Sequence, residues 1–159
     1  MPTDQLVNPA GLFTAGTAGG PVYTTGVVVV QAIYDPAQSG NLLNGNLVEL
    51  EPITAPATGP ILVKKSATVA DNYILGVVVG APTGGYAPGS NVQIQTQGVC
   101  LCLFAATTVA GNFAIQGTGT AGTLAGSGTA TTGVTMGVIL SAVTISAGTA
   151  LVPVYLDRT

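Results

Sequence analysis

Helical periodicity is missing from this chain. No window of a dozen residues carries an apolar stripe at i, i+3, i+4 and i+7. Short runs of β-branched residues recur instead, each cut off by glycine, asparagine or proline. With 23 glycines and 10 prolines scattered over 159 residues, little but strands and turns can form. The pattern predicts an all-β fold, a small β-barrel or sandwich of about nine or ten short strands in one domain. A chain of this length buries roughly 70% of its unfolded surface, enough to fold without disulfides or metal.

The strands can be placed by their breaks. Gly26–Tyr34 reads as a buried strand. Asn44-Gly45 signals a turn into Asn46–Glu51, with Val48 and Leu50 on one side and Leu47, Glu49 and Glu51 on the other. Ile61–Lys65 ends in two lysines, as a sheet-edge strand does. Tyr73–Val79 follows, then a loop bracketed by Pro82 and Gly89. Asn91–Gln97 alternates, placing Val92 and Ile94 inward and Gln93, Gln95 and Gln97 outward. Gln97-Gly98 is a turn or a bulge, and the continuously apolar Val99–Ala105 implies that both its faces are covered. Asn112–Gln116, Gly133–Ser141, Val143–Ser146 and Ala150–Leu156 complete the set; Pro153 argues that the last lies at an edge or bulge. Gly117–Thr132, with Leu124 its one large residue, reads as an extended loop. Gly26-Val27-Val28, Gly76-Val77-Val78 and Gly137-Val138-Ile139 are similar in text but unequally spaced, so no repeat array is inferred.

Residues 1–25 read as an extended N-terminal arm ahead of a single β-domain at 26–159. Pro2, Pro9, Pro21 and the glycines of 15–20 oppose regular structure. Apolar residues at Leu6, Val7, Leu12, Phe13, Val22 and Tyr23, which a purely disordered tail tends to lack, suit docking on a partner.

Charge narrows the function. Charged residues make up 6% of the chain against about 25% in soluble domains, so Thr, Ser, Asn, Gln and Gly must cover the surface. A net charge of −3 gives little repulsion between copies, which favours faces covered by neighbours over a free monomer. Lys64, Lys65 and Arg158 are the whole basic complement, too few to hold a phosphate backbone or an anionic membrane. No signal peptide is readable, and Val27–Val30, Ile74–Val79 and Val99–Ala106 are far short of the ~20 residues that span a bilayer. The expectation is a soluble protein made in the cytoplasm.

Reactive constellations are equally scarce. The chain has no histidine, the side chain that titrates most readily near neutral pH. Glu49 and Glu51 share a strand face and could pair as in a glycosidase, but two solvated charges are the favoured reading. Lys64 and Lys65 suit an edge guard or a salt bridge better than a Schiff base. Cys100 and Cys102, at i and i+2, are too close along a strand for an ordinary disulfide and read as small buried apolar groups. Gly117-Thr118-Gly119-Thr120-Ala121-Gly122 matches G-x-G-x-x-G in form only, since no helix or ribose-binding acid follows. Gln93, Gln95 and Gln97 could make a polar sugar-binding face, but without exposed aromatics. No enzyme, cofactor, metal or small-molecule substrate is expected.

Several segments, taken in order from Asn41 to the C-terminus, resemble the capsid decoration or cement proteins of tailed bacteriophages. They are Asn44-Gly45-Asn46-Leu47-Val48, Asp71-Asn72-Tyr73-Ile74-Leu75-Gly76-Val77, Ala87-Pro88-Gly89-Ser90-Asn91-Val92-Gln93-Ile94, Gln97-Gly98-Val99, Thr108-Val109-Ala110-Gly111-Asn112, Met136-Gly137-Val138-Ile139 and Val152-Pro153-Val154-Tyr155-Leu156. The resemblance implies a small β-barrel-like structural protein on the outer capsid surface of a virion. Its partners would be the major capsid protein and its own copies, as a homotrimer, with the arm engaging the shell. The Gly117–Thr132 tract departs from the family and suggests an outward-facing loop. Competing readings are another assembly component (a tail, fibre or surface-layer domain) or a carbohydrate-binding display module.

Overall fold

The computed structural model describes residues 26–51, 60–67, 73–130 and 135–157. The arm at 1–25, with Leu6, Val7, Leu12, Phe13, Val22 and Tyr23, lies outside the described residues. So do Asp71-Asn72 of the family-like text and Gly133-Val134 of a predicted strand. The described residues hold nine strands and no helix: β1 (Val28–Tyr34), β2 (Leu47–Leu50), β3 (Leu62–Lys65), β4 (Ile74–Val79), β5 (Asn91–Phe104), β6 (Phe113–Gln116), β7 (Leu124–Ser127), β8 (Thr135–Ile139) and β9 (Ala150–Leu156).

Their pairing closes twice. The order β1-β3-β2-β4-β5 returns to its start because β1 also pairs with the first half of β5. The order β5-β7-β6-β8-β9 returns likewise, because β9 pairs with the second half of β5. The result is two closed five-stranded barrels that share one long strand. Gly98, at a φ of 92°, marks the passage of β5 from one barrel to the other. A register shift against β1 sits just before it, between Val28 and Val29, so Gln97-Gly98 belongs to a bulged continuous strand and not to a turn.

The two barrels have the same topology and the same register. β1–β3 and β5–β7 are the parallel pairs, and every other pair is antiparallel. β2 against β4 runs Leu47↔Val77, Val48↔Gly76, then a bulge, then Glu49↔Ile74. β6 against β8 runs Phe113↔Val138, Ala114↔Gly137, a bulge, then Ile115↔Thr135. The turn before each is also shared: Asn46 N–H donates to Leu43 O, and Asn112 N–H to Val109 O. Gly76 and Gly137 are equivalent for a steric reason, since a Cβ at either would run into a carbonyl oxygen, that of Gln95 or Tyr155 respectively. The chain is thus an internal repeat, hidden by connections of different length.

Strand alternation fills each barrel. Ala32, Tyr34, Leu42, Val48, Val63, Val78, Val92 and Ile94 form the first core. Cys100, Cys102, Phe104, Leu124, Met136, Ile139, Val152, Val154 and Leu156 are among the residues of the second. Tyr34 and Phe104 occupy equivalent registers and are both fully buried. Leu47, Ile74 and Val77 point out of the first barrel and pack into the second core. Backbone bonds stitch the junction: Leu47 N–H to Gly122 O at 2.8 Å, Gly122 N–H to Ser66 O at 3.0 Å, and Leu103 N–H to Gly45 O at 2.8 Å.

The all-β barrel expectation therefore holds, with local corrections. β3 is not an edge strand, because β1 and β2 flank it. β9 is interior too. Pro153 fits there because its carbonyl, and hence its missing N–H, faces Leu140, just past the end of β8. The Gly117–Thr132 tract holds β7, and its Gly122 lies at the barrel junction instead of facing outward. Val143–Ser146 forms no strand, only a bridge from Val143 to Thr108. Gln95 is buried, donating from Nε2 to Gln97 O and Val99 O at 3.0 and 2.9 Å.

Candidate interaction surface

The ionisable side chains are used structurally. Glu49, read from sequence as solvated, is 2% exposed. It lies opposite Lys64 across β2 and β3. The Lys64 ammonium sits 3.5 Å from Glu49 Oε1 and 3.0 Å from Glu51 Oε2, while Ala67 N–H donates to Glu49 Oε2 at 2.9 Å. A cation thus separates the two carboxylates proposed as a glycosidase-like pair. The hydrogen bond to Glu51 holds the Lys64 amine above its ordinary pKa. At the equivalent positions the second barrel has Ile115, Ala125 and Gly117, so the triad belongs to one barrel alone.

Asp35 closes a turn. Gln38 Nε2 and Ala37 N–H donate to its carboxylate, both at 2.9 Å, and hold its pKa below the ordinary value. Cys100 and Cys102 are buried free thiols in the second core. The hydrogen bond between them lowers the Cys100 thiol pKa and, with burial, pushes the Cys102 thiol well above the usual range. Among the described residues no group of three or more Cys, Asp or Glu side chains could hold a metal ion. The G-x-G-x-x-G text at 117–122 runs into β7, with Thr123 Oγ1 donating to Thr120 O at 2.7 Å.

What sequence reading missed is a face. Val99–Ala105 was expected to be covered on both sides. Its inward residues Cys100, Cys102 and Phe104 are buried, but Val99 and Leu101 are about half exposed. Across β5, β9 and the end of β8 the outward side chains fall into rows. Val99, Tyr155 and Val138 make one row; Leu101, Pro153 and Leu140 the next; Leu103 and Leu151 a third. Directly paired residues on one face are about 5 Å apart, so the rows form a continuous sheet surface. The only polar side-chain group among these eight residues is the Tyr155 hydroxyl.

The first barrel supplies an internal control. Its equivalent rows are Val29, Gln95 and Val77; Gln31, Gln93 and Val79; and Ile33 and Asn91. Val77 is buried in the second core, so the valine there has a cover. Gln31, Gln93 and Asn91 have none and are exposed. At three matched positions the same backbone frame thus carries Gln31, Gln93 and Asn91 in the first barrel and Leu101, Pro153 and Leu151 in the second, whereas Val29, matched to Val99, is itself 46% exposed.

No known family model matches the chain, and no curated protein is similar to it. Among solved structures the fold is similar to the N base of the head fibre protein gp8.5 of bacteriophage phi29. The TM-score is 0.51 and the identity 12%, over 84% of this chain and 96% of that one. At that identity the likeness is one of fold.

Proposed function

We propose that this protein is a non-catalytic structural component of a bacteriophage virion, one that decorates and stabilises the outer capsid surface by binding the major capsid protein lattice. The observation that carries the proposal is the broad uncharged apolar face on a chain with only nine charged side chains, three basic and six acidic. Such a surface acts by covering and being covered. The likeness in fold to a phage head-fibre base supports a virion role, and the order of the family-like segments supports the capsid.

In this reading the arm lies across neighbouring shell subunits. It adds a strand to one of their sheets, where backbone hydrogen bonds give affinity without a charged patch. Leu12, Phe13 and Tyr23 fill pockets, supported by Leu6, Val7 and Val22. Three arms on a homotrimer raise the effective concentration and slow release, giving a clamp against the pressure of packaged DNA. No nucleic acid, membrane, cofactor or small-molecule substrate takes part.

Co-sedimentation with purified shells tests this. The full chain should bind saturably, and deletion of residues 1–25 should abolish binding while leaving the β-sheet circular dichroism unchanged. Full shell occupancy by the truncated chain would remove the arm mechanism. Absence of binding by the full chain would remove the capsid role.

A further inference from the structure

We propose that the apolar face built by β5, β9 and Leu140 is where a second copy of this chain docks, like face on like; this rests on the reading of the protein as an assembly component and names a two-fold contact between copies, distinct from the contacts within a homotrimer. Three observations converge on it.

The first is the contrast between the barrels. At matched registers Leu101 stands for Gln31, Pro153 for Gln93 and Leu151 for Asn91. The backbone places these pairs alike, so the frame does not demand apolar residues. In the first barrel the outward Val77 and Val79 lie against a cover, the second core, while Val29 is 46% exposed. The second barrel is apolar across all three rows, and the described residues leave Val99, Leu101, Leu140 and Leu151 exposed by 50%, 54%, 48% and 45%. A second copy would supply the cover that the described residues do not.

The second is chemistry. Interfaces that select a foreign partner place charges and hydrogen bonds to reject others. This face offers the Tyr155 hydroxyl alone. An uncharged, pleated, apolar sheet surface is complementary to another of its kind, and two such surfaces pack as facing sheets do, about 10 Å apart.

The third is size. Together the eight side chains expose roughly 450 Å², in the range of the largest patch a monomer carries. Two such faces in contact bury roughly 900 Å², close to the size at which a contact becomes specific.

The test is sedimentation of the full chain through the micromolar range, with shell binding measured in parallel. Wild type should associate. Leu101→Glu should weaken self-association by at least about 100-fold, since it buries a charge at the centre of the face. Gln31→Glu, at the matched register of the first barrel, should have no effect. Mixing Leu101→Glu with Leu101→Lys should restore association, because the two positions then face each other. Leu101→Gln, which copies the first barrel, carries the test if the glutamate variant does not fold.

Leu101 variants that associate as wild type does would overturn the inference. So would loss of shell binding with self-association intact, which would give the face to the shell protein. A wild-type monomer that binds shells overturns this inference and leaves the proposed function standing. A face-dependent oligomer that ignores shells does the reverse.

Discussion

Removing the ammonium between Glu49 and Glu51 should cost more stability than a half-exposed lysine ordinarily does. At an effective dielectric of about 20, the attraction across the 3.5 Å between Lys64 and Glu49 is on the order of 5 kcal/mol. Solvent takes a share, because the Lys64 side chain is 28% exposed. The Ala67 amide remains as a donor to Glu49. Lys64→Ala should therefore lose about 1–3 kcal/mol, short of the ~3–5 kcal/mol seen when a fully buried pair is broken. For a chain of this size that is a fall in Tm of roughly 3–10 °C, read by thermal and urea unfolding at neutral pH. The second barrel supplies the companion variant. Glu49→Ile with Lys64→Ala reproduces the Ile115 and Ala125 found at the matched registers. It should lie within about 1 kcal/mol of wild type, because the buried Glu49 carboxylate goes with its partner and the Glu51 side chain, 30% exposed, can turn to solvent. A single variant within about 0.5 kcal/mol of wild type, or a double variant as unstable as the single, would refute the assignment of the pair as a coupled buried unit.

Other outcomes follow from the same geometry. Lys64 has a raised pKa, so its stabilisation is whole below its ordinary value of 10.5 and lost as pH climbs through the higher folded-state value. Asp35 has a lowered one, so its contribution is present above 3.8 and lost as pH falls through the lower folded-state value; Tm against pH should show a plateau between the two. Gly137→Ala should cost at least about 2 kcal/mol, because the new Cβ meets the Tyr155 carbonyl in the ladder; urea midpoints would read it, and a neutral result would contradict the close strand approach. Phe104→Ala should lose about 3–5 kcal/mol by the same measurement, since Phe104 is fully buried in the second core.

The strand text was legible because alternation and turn residues are local. β1, β4, β6 and β9 fall within a residue or two of their sequence-based limits. The repeat was half visible. Gly76-Val77-Val78 and Gly137-Val138-Ile139 do mark equivalent strands, and Gly45-Asn46 and Gly111-Asn112 open the equivalent partners. Unequal loops masked the relation, and Gly26-Val27-Val28, which begins β1, has no such equivalence. β7 was missed because Leu124-Ala125-Gly126-Ser127 has little strand propensity of its own; pairing with β6 imposes it. The burial of Glu49 depends on Lys64 across the ladder and the Ala67 amide above it, neither of which a strand pattern can place. The continuous apolar run at Val99–Ala105 suggested two covered faces, but Val99 and Leu101 on the outer one are about half exposed. The described residues bury the inner one alone. The arm residues on which shell binding was placed lie outside the described residues, so their part in the site is a matter for binding experiments.

An electron cryo-microscopy map of particles carrying this protein tests the capsid role most directly. The expected map shows two-barrel density at regular positions of the outer shell lattice, with the Leu101 faces of neighbouring copies turned toward each other. Density confined to the tail, or particles whose shells are bare while the protein stays in the soluble fraction, would contradict it.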